Sequence, residues 1–182
     1  MIPDWARRGR GGWQYDGRAR PPFAVEPAAG QESVWDYPRP PRLEPEPRLV
    51  VIRVEDVIVG RSNACLRVLE TASPPTIYMP PADLVPACLE GATGTSRCEW
   101  KGEARYWTVV AAGQRLTRAG WSYPDPFPEF APLAGFVAFY PGRIECTVDG
   151  VRVRPQPGGF YGGWVTPEIV GPFKGEPGTE GW

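Results

Sequence analysis

Histidine is absent from the 182 residues of this chain, and its absence excludes several kinds of active site. Ser-His-Asp and Cys-His catalysis both need an imidazole, and so do zinc and iron sites with histidine ligands. A catalyst built from this sequence must therefore use a carboxylate, lysine, tyrosine, cysteine, arginine or backbone group.

Cysteine is scarce, and its spacing does not suit a metal. The four cysteines, Cys65, Cys88, Cys98 and Cys146, include no Cys-x-x-Cys pair, which is how structural zinc sites usually supply their thiolates. We therefore predict no metal site, and we expect Cys65, Cys88 and Cys146 to be small buried hydrophobic residues.

Phosphate-binding motifs are also missing, and no cofactor is predicted. The Gly-rich stretch GATGTSR at residues 91–97 lacks the Gly-Lys-Ser/Thr ending of a P-loop, and we expect it to end a helix instead. A Gly-x-Gly-x-x-Gly following a strand, the mark of a dinucleotide-binding fold, does not occur.

A strong charge of either sign is lacking too. The formal net charge is −1, so we expect no nucleic-acid partner and no membrane surface as a partner. Five arginines near the N-terminus are interpreted as a solvated or docked arm, with a phosphate or nucleic-acid contact as the alternative. No apolar run approaches the roughly 20 residues that cross a bilayer, and MIPDWARRGRGGW has no secretory apolar region. We expect a cytoplasmic protein.

Proline, glycine and tryptophan are abundant, with 24, 22 and 8 copies. This composition disfavours long helices and favours short strands joined by turns. We divide the chain into an N-terminal arm packed on the core (1–47), a core domain (48–154) and a Gly/Pro/aromatic tail (155–182).

The sequence pattern of the core predicts seven or eight strands in an antiparallel, mainly β domain. RLVVIRVED alternates between apolar and polar residues, and VIVGRS and ACLRVLET follow as strands. PADLVPACLEG, residues 81–91, predicts one short helix ended by Gly91. SRCEWKGEARYWTVVAAG predicts a strand in which Cys98 and Lys101 point to opposite faces.

Several ordered blocks resemble one known family. TSRCEWKGEARYW, AGWSYPDP, GFVAFYPGR and TVDG are similar, in this order, to the blocks of domain-of-unknown-function family 427. RVLETASPPTIYMPPADL fits the family upstream of these blocks, and the flanks QESVWDYPRPP and QPGGFYGGWVTPEIVGPFKG resemble its extended bacterial branch.

The resemblance implies a β-tent: a pair of antiparallel sheets meeting at an angle, with a short helix. Relatives of this fold hold zinc through paired Cys-x-x-Cys motifs, which this chain lacks. The family also carries a nucleotidyltransferase-like label. Because the chain lacks a Gly-Ser followed by Asp-x-Asp to hold Mg²⁺, we do not predict nucleotidyl transfer.

Lys101 and Cys98 are the first site candidates. The chain has 18 arginines and two lysines, so a lysine within a family block is notable. We interpret Lys101 either as a residue of a polar cleft that meets an acid such as Glu70 or the carboxylate or phosphate of a ligand, or as part of a surface ion pair. Cys98 is expected to be buried and inert, with a reactive or ligand-contacting thiol as the alternative.

Glu70 and the aromatic residues are the second group. Glu70 ends an apolar strand, where it either caps a turn or serves as a cleft acid. Tyrosine and tryptophan near strand ends suit a flat or cationic ligand, but core packing is the alternative. The residues in question are Tyr78, Tyr106, Trp107, Trp121 and Tyr123.

Three functions stay open. The first is a small-molecule-binding module whose cleft is lined by Glu70, Tyr78, Lys101, Trp121 and Tyr123. The second is a histidine-independent enzyme that uses Cys98 or Lys101. The third is an assembly protein whose terminal arms exchange between protomers to form a homodimer.

Overall fold

Alternating apolar residues form strands where the sequence predicts them. The computed structural model describes residues 2–182, with 42% of the chain in strands and 12% in helical segments. In Val50–Val54, the side chains of Val50, Ile52 and Val54 are buried. Strands at Val57–Ser62 and Cys65–Glu70 follow, as predicted. The mainly β, antiparallel fold class is therefore confirmed.

A seven-stranded antiparallel sheet is the largest element. Its strand order is β2-β5-β6-β10-β9-β8-β7. The strands are β2 (Arg42–Glu46), β5 (Cys65–Glu70), β6 (Ser73–Met79), β7 (Leu89–Cys98), β8 (Gly102–Ala111), β9 (Gln114–Ser122) and β10 (Val137–Phe139).

A four-stranded antiparallel sheet, in the order β12-β11-β3-β4, packs against one face of this larger sheet. Its strands are β3 (Val50–Val54), β4 (Val57–Ser62), β11 (Glu145–Val148) and β12 (Val151–Arg152). The main hydrophobic core combines Ile52 and Cys146 from this sheet with Ile77, Val109 and Phe139 from the larger one. The larger sheet therefore has a core face and a second face.

The two terminal segments pack on the core and on each other. Parallel strands β1 (Glu32–Ser33) and β15 (Ile169–Val170) pair, and β13 (Arg154–Pro155) pairs with β14 (Trp164–Val165). Trp35 is fully buried in a cluster with both termini, and its indole N–H donates to the Pro172 carbonyl at 3.1 Å.

The predicted helix at residues 81–91 is wrong. Two short 3₁₀ turns, Pro81–Asp83 and Pro86–Cys88, occupy its first part, each with a proline in its first turn. Strand β7 then begins at Leu89, so GATGTSR lies in a strand and does not end a helix. The α-helix of the structure, α1, instead spans Asp4–Arg10.

The boundary between an N-terminal arm (1–47) and a core domain (48–154) remains a prediction. Within the predicted arm, β2 at Arg42–Glu46 forms an edge strand of the large sheet. Among residues 2–182, no helix combines the length and the apolar character that crossing a membrane requires.

Candidate functional site

The second face of the seven-stranded sheet carries a row of aromatic side chains. Tyr78 pairs with Ala138, Ala138 with Trp121, and Trp121 with Tyr106, across strands β6, β10, β9 and β8. In this row, Ala138 lies between Tyr78 and Trp121. Because the Ala138 side chain is small, the Tyr78 and Trp121 rings approach each other over it, with their centroids 6.1 Å apart. This row forms an aromatic floor on the sheet.

A cavity of about 230 Å³, which we call the cleft, lies over this floor. It is smaller than the roughly 300–1,000 Å³ pockets that hold drug-sized ligands. The cleft brings together all five residues that the sequence nominates for ligand binding: Glu70, Tyr78, Lys101, Trp121 and Tyr123. Cys98 also lines it.

The segment around Cys98 is a hairpin and not one continuous strand. Strand β7 ends at Cys98, β8 begins at Gly102, and these two residues pair across the turn. Gly102 has a φ of 103°, a left-handed conformation that favours glycine. The chain reversal places Cys98 and Lys101 in the same cleft. The prediction that they point to opposite faces is therefore wrong.

Lys101 is held at the cleft from several directions. Its carbonyl accepts a hydrogen bond from the Phe127 N–H at 3.1 Å. Its side chain is 8% exposed, with Nζ 5.9 Å from the Tyr123 ring centroid and 5.7 Å from that of Phe130. Helix α1 stabilises the turn between β7 and β8, because the Arg10 side chain donates a hydrogen bond to the Glu99 carbonyl at 2.8 Å.

The charge of Lys101 persists at neutral pH. Burial lowers the pKa of Lys101, but neighbouring groups that can carry negative charge outweigh burial and raise it above its usual value. Those groups are Cys98, Tyr78 and Glu70. A buried lysine that stays cationic is suited to contact with an anion.

The two buried phenols stay protonated. Burial raises the pKa of Tyr78 to about 12, and it raises the pKa of Tyr123 well above its ordinary value, with Cys98 adding to the rise. Neutral tyrosines beside a cationic lysine present hydrogen-bond donors and no negative charge to the cleft.

Glu70 is anchored by an arginine of the N-terminal segment. Arg39, with a side chain 3% exposed, contacts Glu70 at 3.2 Å and donates to the Thr71 carbonyl at 2.9 Å. The Glu70 charge is therefore already paired within the chain. Its role as a cleft acid stays a prediction.

Lys174, the second lysine of the chain, also lines the cleft and is missed by the sequence reasoning. Its Nζ lies 3.5 Å from the Trp13 ring centroid and donates to the Trp182 carbonyl at 3.3 Å. Burial lowers the pKa of Lys174 to about 8. The rarity of lysine in the chain is a signal that applies to Lys174 as much as to Lys101.

Terminal aromatic residues close the cleft. Trp13 comes from the N-terminal segment and Tyr161 from the C-terminal one. Gly162 lies against the Trp121 ring, where a Cβ atom would come within 2.1 Å of the indole. Phe160, also at the cleft, is 71% exposed. The cleft is thus built by the core and both termini together.

The other nominated residues lie elsewhere. Cys65 and Cys146 are buried in the main core, where burial raises the pKa of Cys65 to about 12 and that of Cys146 well above its ordinary value. Trp107 packs towards the main core, and its indole donates to the Ser122 hydroxyl at 2.9 Å. It does not line the cleft.

A second depression, of about 430 Å³, lies over β7 and β8 and is lined largely by small residues such as Gly91, Gly94 and Gly135. Arg105 is the one charged side chain among its lining residues. Because the cleft has several converging polar groups and this depression does not, the cleft is the better candidate site.

Residues 42–150 match the family described as a domain of unknown function (DUF427), under the label NTP_transf_9. The match covers more than half of the chain and contains Glu70, Tyr78, Cys98, Lys101, Trp121 and Tyr123. It leaves out Trp13 and Lys174. No curated protein matches the chain.

Proposed function

The chain belongs to the DUF427 family, and we propose that it is a small-molecule-binding protein whose cleft takes a small ligand with an anionic group and an aromatic body. One observation carries this proposal: both lysines of an arginine-rich chain line the same cavity. The anionic group, a carboxylate or phosphate, lies against Lys101.

The charges of the cleft favour an anion. Among the residues described, neither lysine forms an ion pair with a carboxylate, whereas Glu70 is paired with Arg39. The lining residues include three cations, Lys101, Lys174 and Arg97, against two carboxylates, Glu70 and Glu99. An incoming anion therefore meets two lysines that form no ion pair among the described residues, whereas Arg97 is paired with Glu103.

A cationic ligand fits less well. Aromatic cages bind cations through ring faces, but the chain's own ammonium groups already lie near the rings of Tyr123 and Trp13, at 5.9 Å and 3.5 Å. A second cation in the cleft would be repelled by both lysines. The aromatic floor lines the same cavity, so the flat body of an anion in the cleft would contact it.

Binding of benzoate, phenyl phosphate and benzylamine to the wild-type protein tests the proposal. We expect the two anions to bind and the cation not to bind, since the three probes share a phenyl body and differ in charge. Calorimetry gives the affinities, and quenching of tryptophan fluorescence gives a second measure of binding, since Trp13, Trp100 and Trp121 line the cleft. Equal affinity for the anions and benzylamine, or no binding of any probe, would contradict the proposal.

A histidine-independent enzyme remains a second candidate, because the hairpin places the Cys98 thiol beside Lys101. The two side chains are close enough that Cys98 contributes to the raised pKa of Lys101. A lysine beside a thiol is an arrangement that can favour the nucleophilic thiolate.

Iodoacetamide at pH 7.5 is expected to label Cys98 in preference to the other three thiols. Cys98 is partly exposed, whereas the others are buried. A thiol with a pKa of about 12, as at Cys65, has a thiolate fraction roughly 1,000-fold below that of an ordinary cysteine. Peptide mapping after timed labelling measures the four rates.

The same experiment tests the enzyme hypothesis. Labelling of Cys98 faster than free cysteine, and slower in the Lys101→Met variant, would support an activated thiol. A Cys98 rate equal to or below that of free cysteine would rule out the thiol version of the enzyme.

A further inference from the structure

Lys174 is a buried primary amine, and the proposed anionic group lies against Lys101 and not against Lys174. Its backbone is fixed, because its N–H donates to the Ala72 carbonyl at 2.8 Å and its carbonyl accepts from the Gln156 amide at 2.7 Å. The residue is 2% exposed, yet it lines the cleft. Its amine is thus presented to the cavity by a rigid segment.

The two lysines of the cleft are in different electrostatic settings. Lys101 lies near Cys98 and Tyr78, which favour its charged form. Lys174 lies against the face of Trp13, and Arg39 lies 4.4 Å from the centroid of the same ring. Burial and this second cation both disfavour the charged form of Lys174. One lysine is therefore suited to hold an anion and the other to act as a neutral amine.

We propose that Lys174 captures small oxo acids as imines, with the carbonyl carbon at its Nζ and the acid group against Lys101. This inference rests on the proposed function, since it places the same kind of anionic group against Lys101 in the same cleft. It adds a covalent step and a substrate class: aldehydes or ketones that carry a carboxylate.

The step balances without a cofactor. Lys174 first loses a proton to water, and the neutral nitrogen attacks the carbonyl carbon, so that an N–C bond forms and the C=O π electrons move to oxygen. A proton passes from nitrogen to that oxygen, giving a carbinolamine. Loss of water then leaves the C=N bond of the imine.

The pH dependence follows from the groups around the amine. Burial, first, and Arg39 lower the pKa of Lys174, while Glu70, Glu99 and Glu180 raise it, and it settles at about 8. Imine formation is expected to increase with pH and to level off above about pH 8, where the amine is largely neutral. At pH 8 such an amine is neutral roughly 100-fold more often than an ordinary lysine of pKa about 10.4.

Reductive trapping tests the inference. The 182-residue chain is incubated with glyoxylate, pyruvate or levulinate and sodium cyanoborohydride at pH 8, and peptide mass mapping locates the adducts. We expect a reduced adduct on Lys174 with at least one oxo acid, formed about tenfold or more faster than on Lys101 and on the α-amino group, which also titrates near pH 8. Acetone, which lacks the carboxylate, is expected to give less adduct.

The Lys174→Arg variant is the matched control, since it keeps the positive charge beside Trp13 but cannot form an imine. It should lose the adduct at this position. If that variant does not fold, the mapping of adducts on the wild-type protein is enough to test whether Lys174 forms the imine. Wild-type binding of benzoate without a Lys174 adduct would overturn this inference and leave the proposed function standing. Absence of both would overturn both.

Discussion

Replacing Lys101 with methionine is expected to weaken the binding of benzoate or phenyl phosphate by roughly 100-fold. Losing one partner of a buried, charged hydrogen bond costs about 2–5 kcal/mol, and each 1.4 kcal/mol is a tenfold change in affinity. Methionine keeps the length and apolar stem of the side chain, so the shape of the cleft should be preserved. Calorimetric titration of wild type and variant measures the change.

Two controls distinguish the effect of losing the Lys101 charge from the effect of a change in the shape of the cleft. Benzamide, a neutral analogue of benzoate, should bind the wild type and the Lys101→Met variant with similar affinity. Arg97→Met removes another cation of the cleft, but its side chain is 63% exposed and already faces Glu103 at 3.7 Å. Because exposed pairs contribute about 0–1 kcal/mol, this variant should change anion affinity by less than about fivefold.

An anion affinity that is unchanged in Lys101→Met would remove Lys101 from the site. Because the surroundings of Lys101 raise its pKa and so favour its charged form, the substitution is expected to lower the stability of the fold. Thermal unfolding of the variant without ligand checks this point.

The strands of the core are predictable because their signal is local. Val50, Ile52 and Val54 alternate with polar or half-buried neighbours, and each of the three is buried. The edge strand β7 is not predictable in this way. Its middle contains Gly91 and Gly94, which disfavour strands on their own, and it is held by pairing with β8.

The helix error has a local cause as well. Leu84, Ala87 and Cys88 have helical spacing, but Pro81 and Pro86 each begin a separate 3₁₀ turn. A proline has no N–H to donate to the preceding turn, so Pro86 cannot continue a helix that Pro81 begins. The spacing fits a helix that has Pro86 in its first turn, but the chain enters strand β7 at Leu89 after a single 3₁₀ turn.

The sequence indicates some residues of the candidate site but not all of them. Family blocks and rare residues pointed to Lys101, Trp121 and Tyr123, which the cleft brings together. Trp13 and Lys174 lie 88 and 73 positions from Lys101, and nothing local in the sequence indicates that both termini reach this face of the sheet. The packing of the two terminal segments on the sheet places Trp13 and Lys174 in the cleft, and the sequence alone does not predict that packing.

That packing depends on Trp35. Its ring is fully buried and forms edge contacts with Tyr15 at 5.2 Å, Phe23 at 5.1 Å and Trp182 at 5.1 Å. Ala72, which accepts the backbone hydrogen bond from Lys174, belongs to the same buried cluster. The cluster therefore connects the N-terminal segment, the end of β5 and the C-terminal wall of the cleft.

Replacing Trp35 with alanine is expected to reduce the free energy of unfolding by about 3–5 kcal/mol, the usual cost of truncating a buried aromatic residue. Since domains are stable by roughly 5–15 kcal/mol, this is a large part of the total. The variant also loses the hydrogen bond from its indole to Pro172. Urea unfolding followed by circular dichroism measures the change in midpoint.

Phe23→Ala is the matched control within the same cluster. Phe23 is 45% exposed, although it stacks on Trp182 at 5.0 Å, so its truncation should cost about 1–2 kcal/mol. If the terminal segments were only loosely attached, the two variants would unfold at similar urea concentrations. A clear gap between them, accompanied by weaker benzoate binding in Trp35→Ala at temperatures where it is still folded, would show that the arms are part of the binding site.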